Sequence, residues 1–108
     1  MKKNKHLSNI PIINYNLTEY GRIATYFYPS ERSNKIIYIS SLRIKPGFRN
    51  KGNGKKLLIS TINNLKHLGY KTIFLKTVYG SWQMHWYVRL GFRVYTLDRL
   101  CWLKLSIK

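Results

Sequence analysis

Hydrophobic residues switch between two spacings along this chain, and each switch marks an element. In residues 35–45, Ile37, Ile39, Ser41 and Arg43 share one parity, and Ile36, Tyr38, Ser40, Leu42 and Ile44 share the other. Strand side chains alternate between faces, so this run reads as a long strand with those two sets on opposite sides. Pro46-Gly47 ends it. From Gly52 to Leu68 the period becomes helical. Leu57, Leu58, Thr61, Ile62, Leu65 and Leu68 form one stripe, and Lys55, Lys56, Ser60, Asn63, Asn64, Lys66 and His67 lie mostly on the other side. Gly69 stands where a helix takes a left-handed closing residue. Residues 71–78 return to a strand pattern, residues 82–90 predict a short helix closed by Gly91, and residues 92–97 and 100–107 predict two strands around an Asp98-Arg99 turn.

Ahead of the long strand the pattern is weaker. Residues 1–9 are polar and basic and predict a flexible arm. Residues 10–15 predict a short strand, with Pro11 suited to a sheet edge. Residues 16–21 carry turn formers, residues 22–28 are β-branched and aromatic, and residues 29–34 read as a loop. The order predicts one α/β domain over residues 10–108 with a mixed sheet. Its two strands joined through the helix should be parallel neighbours, and its last two strands a hairpin.

Composition narrows the class. In 108 residues 44% are hydrophobic, enough for a small core and too many for a disordered chain. No apolar run approaches the roughly 18 residues that span a bilayer, so no membrane partner is expected. Met1-Lys2-Lys3-Asn4-Lys5 resembles the start of a signal peptide, but the apolar stretch behind it is too short, and a cytoplasmic protein is expected. The lone Cys101 excludes an internal disulfide, and no Cys/His cluster has zinc spacing, so no metal is expected. Charge changes the picture most. Twenty Lys and Arg against three Asp and Glu give +17, which attracts polyanions: nucleic acid, an acidic protein face or a phosphorylated cofactor. The plain alternative is a solvated basic surface.

The candidate chemistry lies between the long strand and the long helix. Arg49-Asn50-Lys51-Gly52-Asn53-Gly54-Lys55 leads from a strand into a helix. The first helical amides lack partners, the helix dipole favours an anion there, and glycines at 52 and 54 let backbone approach a ligand. A phosphate-binding loop is the reading, against a plain strand–helix turn.

Two motifs then carry a family resemblance. Leu42-x-Ile44-x-Pro46-x-x-Arg49-x-x-Gly52-x-Gly54-x-x-Leu57-Leu58 resembles the acetyl-coenzyme A signature of the GCN5-related N-acetyltransferases (GNAT). Trp86-Tyr87-Val88-Arg89-Leu90-Gly91-Phe92 resembles that family's second signature. The resemblance covers residues 35–108. It implies an acyl-CoA N-acyltransferase fold, with a mixed, mostly antiparallel sheet, a central parallel pair that splays apart, and N-terminal helices reduced or absent. It also implies acetyl-CoA as cosubstrate and direct transfer of acetyl to a primary amine. Leu42, Arg43 and Ile44 would meet the pantetheine arm through main chain. The loop from Arg49 through Asn50, Lys51, Gly52, Asn53 and Gly54 to Lys55 would hold the pyrophosphate, with Lys51, Lys55 and Lys56 within reach of its oxygens. Tyr87 would be the general acid that protonates the departing thiolate.

Departures from the family pattern leave the acceptor side open. Gly80 stands where relatives often carry Asn, with Ser81 as a substitute, and Ser40 and Ser41 stand where relatives often carry acids. A base would be Glu31 through a water, His85, or none, since a field of +17 favours the neutral amine. The same field suits an acceptor carried on an anionic scaffold, a protein or a nucleic-acid-associated molecule. Tyr20, Tyr26, Phe27 and Tyr28 would suit a homodimer. The alternative function is a degenerate GNAT-like basic module that binds nucleic acid or an acidic protein without catalysis.

Overall fold

Six strands form one sheet, and a row of directly paired side chains on each of its faces organises everything else. The computed structural model describes residues 10–98 and 100–108; the arm expected over residues 1–9 and Arg99 of the last turn lie outside the described residues. The strands are β1 (Ile12–Leu17), β2 (Gly21–Phe27), β3 (Ile36–Ile44), β4 (Thr72–Thr77), β5 (Arg93–Leu97) and β6 (Cys101–Ser106). Among the described residues two α-helices accompany them, α1 (Asn53–His67) and α2 (Trp82–Arg89). Spatial order is β1-β2-β3-β4-β6-β5. Only the β3–β4 pair is parallel; each of the others is antiparallel. This is the mixed sheet with a central parallel pair, few helices and a closing hairpin that the sequence predicts. The fifth strand is pushed to the edge because β6 returns to pair with β4.

One row, Asn14–Thr25–Ile39–Leu75–Leu103–Val94, crosses all six strands. Its four central members are buried beneath the helices, together with Leu57, Leu58, Thr61 and Leu65 of α1 and with Phe92. The other row, Ile13–Tyr26–Tyr38–Phe74–Lys104–Arg93, crosses the same strands on the reverse face. Residues 29–34, expected as a loop, form a short 3-10 helix on the way into β3.

One expectation for β3 fails at its midpoint. Ala24 pairs with Ser41, but Thr25 pairs with Ile39. Ser40 is therefore an extra residue, a bulge that reverses the parity of everything after it. Leu42 and Ile44 consequently join Ile37 and Ile39 against the core, while Ser41 and Arg43 turn outward.

Both helices end as their glycines predict, and the caps are complete. After α1 the Gly69 amide donates to the Lys66 carbonyl and the Tyr70 amide to the Leu65 carbonyl, a Schellman closure. After α2 the Gly91 amide donates to Val88 and the Phe92 amide to Tyr87. Gly91 has φ +107, which an L side chain rarely adopts. The closure drives Phe92 into the core at 0% exposure, with its ring 5.5 Å from that of Tyr87. The Tyr-x-x-Leu-Gly-Phe pattern is thus a helix stop with its hydrophobic contact built in.

Candidate active site

Parallel pairing between β3 and β4 runs from Ile36↔Thr72 to Ile39↔Leu75 and stops. Beyond that point β3 continues to Ile44 paired only with β2, and β4 continues to Thr77 paired only with β6. The two central strands part at the Ser40 bulge. Main-chain groups of Leu42 and Ile44 alternate away from β2 and are left facing a gap, where an extended ligand could pair like an added strand, whereas those of Arg43 face Arg22 of β2.

The loop at the end of β3 closes one side of this gap. Residues 46–48 make a 3-10 turn, in which the Arg49 amide reaches the Pro46 carbonyl at 3.5 Å. Asn50 and Gly52 both have positive φ, +61 and +80, and Gly52 is the N-cap of α1. The first helix-type bond is from the Lys56 amide to the Gly52 carbonyl, at 3.1 Å. The Asn53, Gly54 and Lys55 amides precede it and have no partner within the helix, which gives an anion three oriented donors at the positive end of a dipole. Two side chains that sequence reasoning assigned only by main chain act as staples. Arg49 Nε donates to the Ile44 carbonyl at 2.8 Å, and Asn53 Nδ2 donates to the Phe48 carbonyl at 2.8 Å. Both reach back five residues to a main-chain carbonyl, a contact that neither motif nor periodicity signals. Lys51, Lys55 and Lys56 are exposed, and Lys56 Nζ rests 5.9 Å from the Tyr20 ring centre.

α2 closes the other side. A Cβ at Gly54 would meet Ile44 at 3.7 Å and the Trp86 indole at 3.8 Å, so β3, the start of α1 and α2 converge at that glycine. Tyr87, the next residue, packs on the core with Trp86 and Phe92, and burial pushes its phenol up from the ordinary value near 10. A phenol so placed stays protonated through the neutral range. Trp82, at the start of α2, is 72% exposed.

The substitutes considered for missing polar groups find other employment. Ser81 caps α2: its hydroxyl accepts from the Met84 amide at 3.2 Å and lies 3.3 Å from Thr77 Oγ1. Glu31 accepts from the Tyr38 hydroxyl at both oxygens, 2.9 and 3.1 Å, on the reverse face of the sheet from Tyr87. His85 is exposed on α2. The structure brings Leu42, Arg43, Ile44, the loop and the α2 segment together, and it leaves Glu31 apart from them. Among the described residues no three His, Cys, Asp or Glu side chains gather as a metal site.

Comparison with known proteins agrees with this architecture. The model of the acetyltransferase (GNAT) family matches residues 14–92, and the chain belongs to that family. No curated protein sequence matches it. Among solved structures, the ribosomal-protein-S18-alanine N-acetyltransferase of Escherichia coli superposes with a TM-score of 0.74 at 17% identity, covering 98% of this chain and 77% of that one. The PaiA N-acetyltransferase of Thermoplasma acidophilum in complex with coenzyme A gives 0.71 at 18%, over 98% and 65%. A GNAT acetyltransferase of Elizabethkingia anophelis with acetyl-CoA bound gives 0.69 at 18%, over 98% and 82%. These identities speak for the fold.

Proposed function

We propose that residues 10–108 work as one acetyltransferase domain that moves the acetyl group of acetyl-CoA directly to a primary amine. The observation that carries this is the parting of β3 and β4 at the Ser40 bulge, with the anion-ready loop at one end of the gap. Main chain at Leu42 and Ile44 would hold the pantetheine arm, with Arg43 between them paired to β2. The Ile44 carbonyl already accepts from Arg49, so its second lone pair remains for the ligand. The amides from Asn50 to Lys55 would hold the pyrophosphate, with Lys51 and Lys55 adding charge. The family relation and the coenzyme A bound to similar folds support this ligand.

In the transfer, the amine nitrogen attacks the thioester carbonyl, the C–S bond breaks, and the thiolate needs a proton. Tyr87 would give it, and the proton that the nitrogen sheds on becoming an amide would return to the Tyr87 phenolate through solvent. A phenol held neutral by burial has a basicity matched to a thiol, and no covalent enzyme intermediate is required. With Glu31 tied to Tyr38 on the other face, the neutral amine would be supplied by the positive field rather than by a dedicated base.

Calorimetry with acetyl-CoA tests the first half, and thiol release with a panel of amines tests the second. Absence of binding at millimolar acetyl-CoA would end the reading.

A further inference from the structure

The face of the sheet turned away from both helices carries six aromatic rings in one connected cluster. Tyr26 stacks on Tyr38 with centroids 4.9 Å apart and planes 6° from parallel. Tyr28 meets both edge-on. Tyr38 continues to Phe74 at 5.7 Å and to Trp102 at 5.9 Å, and Phe74 to Tyr95 at 4.9 Å. Together they line an open pocket of about 400 Å³ with Glu31 at its side. Nothing in the acetyl-transfer site uses these residues. Tyr95 is exposed and the other five rings are half-buried, an aromatic surface of the kind that marks an interaction site.

Charge selects the partner. On this face the pairing register sets Arg22 opposite Arg43, Lys76 opposite Trp102, and Lys104 opposite Phe74. Lys76 Nζ lies 5.3 Å from the Trp102 ring centre, and Lys104 Nζ lies 5.5 Å from that of Tyr95. Cations therefore rim the rings, in a chain whose net charge is +17. A second copy would bring its own +17 against this face and be repelled. An acidic protein would satisfy the lysines and offer little to stack on the rings. A single-stranded nucleic acid supplies both needs: planar bases for the aromatic platform and phosphates for the rim. Glu31 sharpens the fit. Its carboxylate repels phosphate from the pocket, and it can accept from a base amino group, so the base goes in and the backbone stays at the lysines.

We propose that the aromatic reverse face binds single-stranded nucleic acid, with bases stacked on the Tyr26–Tyr38–Phe74–Tyr95 rings and the backbone held by Lys76 and Lys104. This does not rest on acetyl transfer.

The test uses a fluorescent oligo(dC) of about twelve nucleotides, a duplex of the same length, and heparin, each titrated by anisotropy across a salt series. The single strand should bind more tightly than the duplex. Tyr95→Ala and Tyr26→Ala should each weaken the single strand by about tenfold while leaving the duplex unchanged. Lys76→Gln with Lys104→Gln should flatten the slope of log K against log salt by about 1.4. Circular dichroism confirms that each variant is folded, and thiol release from acetyl-CoA should be unaltered in all of them. Equal affinity for single strand and duplex, or ring variants that bind the single strand as the parent does, would overturn the proposal. So would sedimentation showing a dimer that the ring substitutions dissociate.

Discussion

Phe74 and Leu75 are neighbours in one strand, yet they live in different proteins as far as physics is concerned. Leu75 is 3% exposed beneath two helices and belongs to the apolar core cluster. Phe74 is half-buried among tyrosines and a tryptophan, on the face that neither α-helix of the described residues covers. The covered face is aliphatic: Ile23, Ile37, Ile39, Ile73, Leu75 and Leu103 interlock with leucines of α1. The bare face is aromatic and fringed with cations. Aliphatic side chains suit close packing, where shape alone decides. Tyrosine suits a surface that must tolerate water on one side and a partner on the other. The difference teaches which face keeps the chain folded and which is left to meet something else.

The comparison is most easily broken with Phe92. Phe92→Ala removes a fully buried ring at the α2 closure and should cost about 3–5 kcal/mol, a large part of what a small domain possesses. Tyr95→Ala, across the sheet at 56% exposure, should cost well under that, about 0.5–1 kcal/mol. Urea denaturation of the pair decides it. Comparable losses would mean that the bare face is a second core.

A matched pair of hydroxyl deletions separates chemistry from packing. Tyr87→Phe keeps the ring against Phe92 and removes the proton donor. Turnover should fall about a hundredfold with acetyl-CoA affinity nearly unchanged. Tyr38→Phe makes the same chemical change on the other face. It should leave turnover alone and cost about 1 kcal/mol of stability through the lost bonds to Glu31. Equal turnover in Tyr87→Phe and the parent would remove Tyr87 from the acid role and leave it as the packing half of a helix stop.

Much of the covered face was legible in sequence, because its signals are local. Gly69 and Gly91 mark helix ends, and the 57–65 stripe marks the face of α1. The bulge at Ser40 was not legible. Counting by two cannot detect an extra residue, so Leu42 and Ile44 were set on the wrong side of β3, and the cause sits at the point where the central strands part. The Tyr38–Glu31 bond was hidden for another reason. It joins a strand to a 3-10 turn whose direction depends on the rest of the sheet. Which face receives helices is likewise a property of chain path, and β-propensity gives Phe74 and Leu75 the same reading.

The loop offers a smaller lever. Gly52→Ala forces a left-handed φ of +80 on a residue with a side chain, although no atom lies within 4 Å of the new Cβ. Strain alone should cost about 1–2 kcal/mol. Acetyl-CoA affinity should fall as the Asn53–Lys55 amides lose their aim, while oligonucleotide affinity at the reverse face stays put. A drop in both, measured by calorimetry and anisotropy, would mean that one basic surface serves both ligands.

The gentlest probe is alkaline pH, because both faces hold tyrosines perturbed by burial and only the bare face adds a carboxylate to it. Burial pushes Tyr87 up. Tyr38 is pushed up by burial, then by its hydrogen bond to Glu31 and by that carboxylate's charge, and Tyr26 by burial and its charged neighbours. In each the folded state favours the protonated phenol more than the unfolded chain does. That contribution is fully present below the ordinary value of 10.0 and is lost as pH rises through the higher folded values. Stability should therefore decline above pH 10.0, not below it. Tyr38→Phe deletes the group held up by Glu31 and should make the decline shallower. Tyr87→Phe should leave the part contributed by Tyr38 in place. Phenolate absorbance followed alongside unfolding distinguishes the two. A decline unchanged by Tyr38→Phe would show that the bare face contributes no titratable stability, and that its tyrosines are held by stacking alone.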